Sequence, residues 1–175
     1  KLPVLREMAE VNATTRKLAE LVEETRPDIL HAHSPVLNAI PAQRVAKRFG
    51  LPWVYEIRAF WEDAAASHGT TREGSPRYHA TRWLETRAAS QADAVGAICR
   101  GLLDDLRKRG IAADKLFHVP NAVDAEQFTL GRPRDEALAA QLGLQSADII
   151  GFIGSFYDYE GLDVLLAAMP EMIAA

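Results

Sequence analysis

Asp28-Ile29-Leu30-His31-Ala32-His33-Ser34-Pro35 is a short apolar run that carries two histidines and then meets a serine and a proline. Bounded by Pro27 on one side and Ser34-Pro35 on the other, it predicts a β-strand handing over to a helix. Residues two apart on a strand share a face, so His31 and His33 stand side by side. Ser34 reads as the helix N-cap and Pro35 as the first helical residue, because a serine oxygen accepts an orphan amide and proline has no N–H in need of a partner. Ligands of parallel α/β sheets bind beyond the carboxyl ends of the strands, which places His33 where chemistry is done. The structural alternative is that one imidazole packs in the core and the other caps the helix.

The flanking sequence extends the same alternation. Leu5, Met8, Leu18, Leu21 and Val22 recur at helical spacings between Pro3 and Thr25, and Pro27 ends that helix. After the histidine strand, a helix runs to about Phe49 over Leu37, Val45 and Phe49, with Pro41 expected to kink it and Gly50 placed as its C-terminal cap. Leu51 to Ile57 is nearly unbroken in apolar character, as in a strand covered on both faces. It opens into Arg58-Ala-Phe-Trp-Glu62-Asp63. Residues 64–76, broken by Gly69, Gly74 and Pro76, read as a long mobile loop, either functional or disordered. A helix over 77–91 with Ala80, Leu84 and Ala88 on one face, a strand over 93–98, a helix over 100–110 and a strand over 116–119 complete the series. Four β-α alternations predict a doubly wound, Rossmann-like parallel sheet flanked by helices.

The pattern changes after Phe128. Residues 129–147 form a linker with a short helix over 136–142, and residues 148–153 read as a new strand. Its turn, Gly154-Ser155 to Glu160-Gly161, feeds a helix over Leu162, Leu165, Leu166, Met169 and Ile173. The expected organisation is thus a domain over 1–128, a linker over 129–147, and the first β-α unit of a second domain over 148–175. The chain opens on Lys1 and closes on Ala175 in mid-helix pattern, so both ends read as cut.

Composition narrows the function classes. An apolar content of 48% indicates a globular chain, and a net charge of −4 with a pI near 5.7 speaks against nucleic acid as the main partner. No apolar run approaches the roughly 18 residues of a membrane-spanning helix. Cys99 is the single cysteine, which excludes an internal disulfide, suits a reducing cytoplasm and reads as a buried small hydrophobe.

The strand ends collect the polar residues: His33, Arg58 with Glu62 and Asp63, Arg100, and Ser155 with Glu160. Such a gathering at one sheet edge is the physical argument for a site. Arg58 and Glu62 are alternatively an ion pair that orders the loop. His31-x-His33 has the spacing of a two-histidine metal site, which needs a third ligand. His68, His79 and His118 fall on a loop, a helix and a strand, with none singled out, so the expectation is no metal. The glycine-bounded turn from Gly154 to Gly161 can present amides to phosphate, although it is neither G-x-G-x-x-G nor a P-loop.

Four stretches occur in a telling order: P-D-I-L-H-A-H-S-P from Pro27, P-W-V-Y-E-I-R-A-F-W-E-D from Pro52, V-P-N-A-V-D from Val119 and G-F-I-G-S-F-Y-D-Y-E-G-L-D from Gly151. Together they resemble the family-four retaining glycosyltransferases of GT-B fold. R-A-F-W-E-D followed by H-G-T-T-R-E-G from His68 resembles a narrower group, the exosortase-associated glycosyltransferases of bacterial exopolysaccharide clusters. The resemblance implies that the chain is a fragment: an acceptor-side Rossmann-like domain without its first strand, a crossover near Asn121, and the start of a domain that holds a nucleotide-sugar donor. It implies a sugar passed, with retention, to a glycan or lipid-linked acceptor, without metal or other cofactor. The expected location is cytoplasmic, with peripheral contact at the inner face of the plasma membrane, and apolar residues such as Leu162 and Leu165 offer a surface for oligomers.

On this comparison His33, Arg58 and Glu62 are the catalytic candidates, and Gly154, Ser155, Glu160 and Gly161 the donor-binding ones. Three positions depart from the family pattern. Arg58 stands where a histidine is frequent, and an arginine cannot serve as a base. Ser155 and Glu160 stand where an arginine and a lysine commonly grip pyrophosphate, and Ala122 replaces a common glycine. Two other classes stay open: a non-catalytic module that binds a glycan or partner, and a metal-dependent hydrolase built on His31 and His33.

Overall fold

The computed structural model describes residues 3–128 and 131–174, apart from the side chains of residues 3, 4 and 158. Residues 129 and 130 of the expected linker lie outside this description. In chain order the elements are α1 (Pro3–Thr25), β1 (Leu30–His33), α2 (Val36–Phe49), β2 (Trp53–Ile57), α3 (Trp61–Ser67), α4 (Pro76–Gln91), β3 (Ala94–Ala97), α5 (Arg100–Lys108), β4 (Leu116–His118), α6 (Glu136–Gln141) and α7 (Leu162–Ala174). They fall into two compact units, 1–122 and 123–175.

The first unit holds a four-stranded parallel sheet in the order β1-β2-β3-β4, with helices in every crossover. The α/β class with a parallel sheet flanked by helices is the fold observed, but the four described strands follow chain order without the reversal of a doubly wound sheet. Leu30 and Ala32, then Trp53, Tyr55 and Ile57, then Val95 and Ala97 are all buried, forming with Val45, Ala39 and Ala46 of α2 and Ala89 of α4 one continuous core. Their period of two along each strand leaves His31, His33 and Glu56 on the opposite face. Gly50 ends α2 at φ 67° and returns its N–H to the Ala46 carbonyl, the left-handed cap that glycine adopts without steric cost. Pro41 is buried within α2, which continues through it to Phe49.

Several local expectations are corrected. Pro35, not Ser34, occupies the N-cap of α2, because the Ser34 hydroxyl is turned to the neighbouring strand end, where it accepts the Arg58 N–H at 3.1 Å. Residues 61–67 form α3, so the first four residues of the loop expected over 64–76 are helical. Three consecutive alanines favour helix, and Glu62 and Asp63 occupy its positively polarised first turn. Helix α4 buries Tyr78, Glu85, Ala88 and Ala89, while Leu84 is exposed. Cys99 is also exposed, at the N-cap of α5.

The second unit carries α6, capped by the Asp135 carboxylate on the Leu138 N–H, and α7. Residues 148–153 are irregular here, not the strand expected. A strand needs a neighbour to complete its hydrogen bonds, and the described residues of this unit contain no other strand. Ile149, Ile150 and Ile153 accordingly remain exposed. Among the described residues, no helix is long and apolar enough to cross a membrane.

Beneath the sheet lies a buried charge network of the first unit. Glu62 and Arg109 are both almost fully buried and meet at 2.6 Å. Arg109 also donates from Nε to Asp105 at 2.6 Å and lies 3.6 Å over the Phe60 ring. Nearby, the Tyr55 hydroxyl donates to buried Glu85. Burial pushes the Glu85 carboxyl up to about 7, since a charge there lacks solvation, with the hydrogen bond from Tyr55 opposing the shift.

Two consequences are measurable. Arg109→Met strands Glu62 as an unpaired buried charge and is expected to cost about 3–5 kcal/mol in urea unfolding, while adding Glu62→Leu restores most of that loss. A loss below about 1 kcal/mol from the single change would contradict the pairing. Glu85 holds a proton in the folded state from its ordinary value of 4.5 up to about 7, whereas the unfolded chain releases it. Stability from this group is therefore full below that window, falls as pH rises through it and is level above it. Glu85→Gln is expected to remove this decline from the pH profile of the urea midpoint, and an unchanged profile would contradict it.

Candidate active site at the strand ends

Parallel pairing of β1 with β2 sets His33 opposite Glu56, and His31 opposite Val54. The two imidazoles and the carboxylate thereby come to one face at the carboxyl end of the sheet. Glu56 is only 3% exposed although it lies on the open face, because three side chains cover it. His31 Nε2 is 3.1 Å from its Oε2, His33 Nδ1 is 3.5 Å from its Oε1, and Arg58 donates from a guanidinium nitrogen to Oε1 at 3.0 Å. The imidazole rings stack with centroids 4.5 Å apart.

Backbone contacts fix this arrangement. The Ser34 N–H donates to the Glu56 carbonyl at 2.8 Å, and the Asn38 amide donates to the His33 carbonyl at 3.2 Å. The other arm of Arg58 donates to the Asn121 side-chain oxygen at 2.6 Å. Arg58 is thus held between a buried carboxylate and the chain just past β4, with about half of its side chain open to solvent. A planar guanidinium fixed on two sides offers its remaining donors to an oxyanion such as phosphate. The half-exposed imidazoles beside it are placed to exchange protons with a bound hydroxyl.

The structure brings His33 and Arg58 together but not Glu62. Arg58 pairs with Glu56 and not with Glu62, whose carboxylate is turned into the core onto Arg109. Sequence reasoning passed over Glu56, because a single carboxylate inside Trp53-Val-Tyr-Glu-Ile57 was absorbed in an apolar run. A signal was present, since Glu56-x-Arg58 repeats the two-residue spacing of His31-x-His33 on the adjacent strand. Glu56 also supplies the third metal-capable ligand that no other histidine offered: the ligand atoms of His31, His33 and Glu56 lie within 4.8 Å of one another.

The candidates of the second unit stand on a turn of their own. Gly161 takes φ 68°, a left-handed conformation suited to glycine, and its carbonyl accepts the Leu165 N–H at 3.0 Å in the first turn of α7. The Glu160 N–H closes a short 3-10 turn on the Tyr157 carbonyl at 3.0 Å. Gly154, Ser155 and Glu160 are exposed. A side chain at Gly154 would bring its Cβ to 2.9 Å from the Phe152 ring.

Comparison with known proteins places these features. Residues 2–122 match the family described as Glycosyl transferase 4-like domain. The chain is 30% identical over 158 residues to the D-inositol 3-phosphate glycosyltransferase of Segniliparus rotundus, covering 87% of this chain and 33% of that protein. It is 30% identical over 95 residues to the alpha-maltose-1-phosphate synthase of Mycolicibacterium smegmatis, covering 52% of this chain and 24% of that one. Anabaena Alr3699/HepE in complex with UDP shares the fold at a TM-score of 0.71 and 15% identity, over 90% of this chain and 40% of that structure. The chain thus spans between a quarter and a third of the curated relatives it matches. With the family match running through both histidines, Glu56, Arg58 and Asn121, the chain belongs to the glycosyl transferase 4-like domain family.

Proposed function

We propose that the protein is a retaining glycosyltransferase of GT-B type, which passes a sugar from a nucleoside diphosphate donor to a hydroxyl of a glycan or lipid-linked acceptor. The observation that carries this reading is Arg58, clamped between Glu56 and Asn121 beside His33 at the carboxyl edge of the sheet, in a member of this family. Departure of a nucleoside diphosphate builds negative charge on a phosphate oxygen, and a preorganised guanidinium stabilises such charge without reorganising. Arg58 takes that electrostatic role or positions the acceptor, and His33 contacts the reacting hydroxyl. Glu62, turned onto Arg109 in the core, has no part in the reaction. The reaction needs no metal or other cofactor.

Gly154, Ser155, Glu160 and Gly161 contribute to the donor side, with pyrophosphate met by backbone amides and by the Ser155 hydroxyl. That the similar fold of Anabaena HepE has been seen with UDP and UDP-glucose supports a nucleotide-sugar donor. For the acceptor, a cavity of 160 Å³ opens beside Pro35, two residues beyond His33, and is lined by Val36, Leu37, Trp61 and Leu84 with Arg77 at its polar part. With Glu7, Thr71 and Thr81 also at its wall, the cleft joins apolar side chains to polar ones of both charges, a mix that suits an acceptor with an apolar portion and a hydroxyl-rich glycan. We place the protein in bacterial exopolysaccharide synthesis, in the cytoplasm at the inner face of the plasma membrane.

Release of nucleoside diphosphate from a panel of nucleotide sugars, measured with the whole protein, tests the assignment. Arg58→Ala and His33→Ala are each expected to lower kcat/KM more than about tenfold, with Arg58→Lys recovering part of the loss. Losses below tenfold for both alanine variants would overturn these roles. Glycan binding without turnover of any donor would instead identify a binding module.

A further inference from the structure

We propose that His31, His33 and Glu56 form a binding site for a divalent transition-metal ion, with zinc as the best fit. The geometry carries this. A tetrahedral zinc ion with bonds of about 2.0–2.1 Å holds its ligand atoms roughly 3.3 Å apart. The His31 Nε2 to Glu56 Oε2 separation is 3.1 Å, close to that value, and His33 Nδ1 stands 3.5 Å from the other carboxylate oxygen, Oε1. All three ligand atoms lie within 4.8 Å of one another, so small rotations of the imidazoles bring them onto one ion.

The site is built by the backbone and not by chance contact of flexible arms. Two ligands are fixed by the period of β1 and the third by its register with β2. Two imidazole nitrogens with one carboxylate oxygen favour zinc, nickel or copper over magnesium or calcium, which select oxygen donors. The buried carboxylate divides its two oxygens. Oε1 already accepts from Arg58, whereas Oε2 faces His31 and is the oxygen left for an ion. Both imidazoles are half-exposed, so an ion has a path to them, and a fourth coordination position stays open to water.

The inference does not depend on sugar transfer. Its consequence for transfer is that an ion on His33 Nδ1 withdraws that nitrogen from proton exchange.

Equilibrium dialysis of the whole protein against zinc chloride, after removal of metal with a chelator, is the test. The wild type is expected to retain zinc that His31→Ala and Glu56→Gln each weaken by more than about tenfold, with His79→Ala unchanged. His31 is half-exposed on an edge strand, and circular dichroism confirms that its variant is folded. No retained zinc, or zinc held equally by wild type and by His31→Ala, would overturn the proposal.

Discussion

The carboxylate of Glu56 is the constraint on which the strand-end site depends. A charge at 3% exposure is tolerated only where partners replace its water, and here those partners are two imidazoles and a guanidinium. The same carboxylate therefore sets the positions of His31, His33 and Arg58. Without it Arg58 would keep only Asn121, a neutral acceptor, and its guanidinium would sample many directions. The parallel register of β1 and β2 makes the cluster a property of the fold, since a one-residue slip would send Glu56 to the opposite face.

A second buried carboxylate, Glu62, performs a different task three residues into the segment after Arg58's neighbour Ala59. It closes on Arg109 in the core and fastens α3 to the end of α5. The two carboxylates illustrate how environment separates roles among identical groups. Glu56 gathers cations at an open edge, where a ligand can reach them. Glu62 is sealed, where nothing but Arg109 and its neighbours can.

Much of this architecture is legible from residue order. Leu30 and Ala32 alternating with His31 and His33 announce a strand with one buried face, and Gly50 announces the end of α2. His33 and Arg58 at strand ends follow from the same reading. The failures have physical causes. Glu56 was hidden because a strand dense in apolar residues reads as covered on both faces, while only pairing with β1 reveals which neighbours await its carboxylate. Local preference puts Ser34 at a helix end, whereas tertiary contact draws its hydroxyl to the Arg58 N–H. Residues 148–153 have the composition of a strand, but composition supplies no neighbour with which to pair.

The central claim is that Glu56 organises a transfer site through Arg58 and His33. Glu56→Gln keeps the size of the side chain and removes its charge, so it probes the claim with little change in packing. Its kcat/KM for nucleotide-sugar turnover, measured alongside the thermal midpoint of the whole protein, is the most direct measurement. The account predicts a fall of more than about tenfold in a protein that remains folded. Turnover at the wild-type rate would show that the carboxylate does not organise the chemistry, and would contradict it.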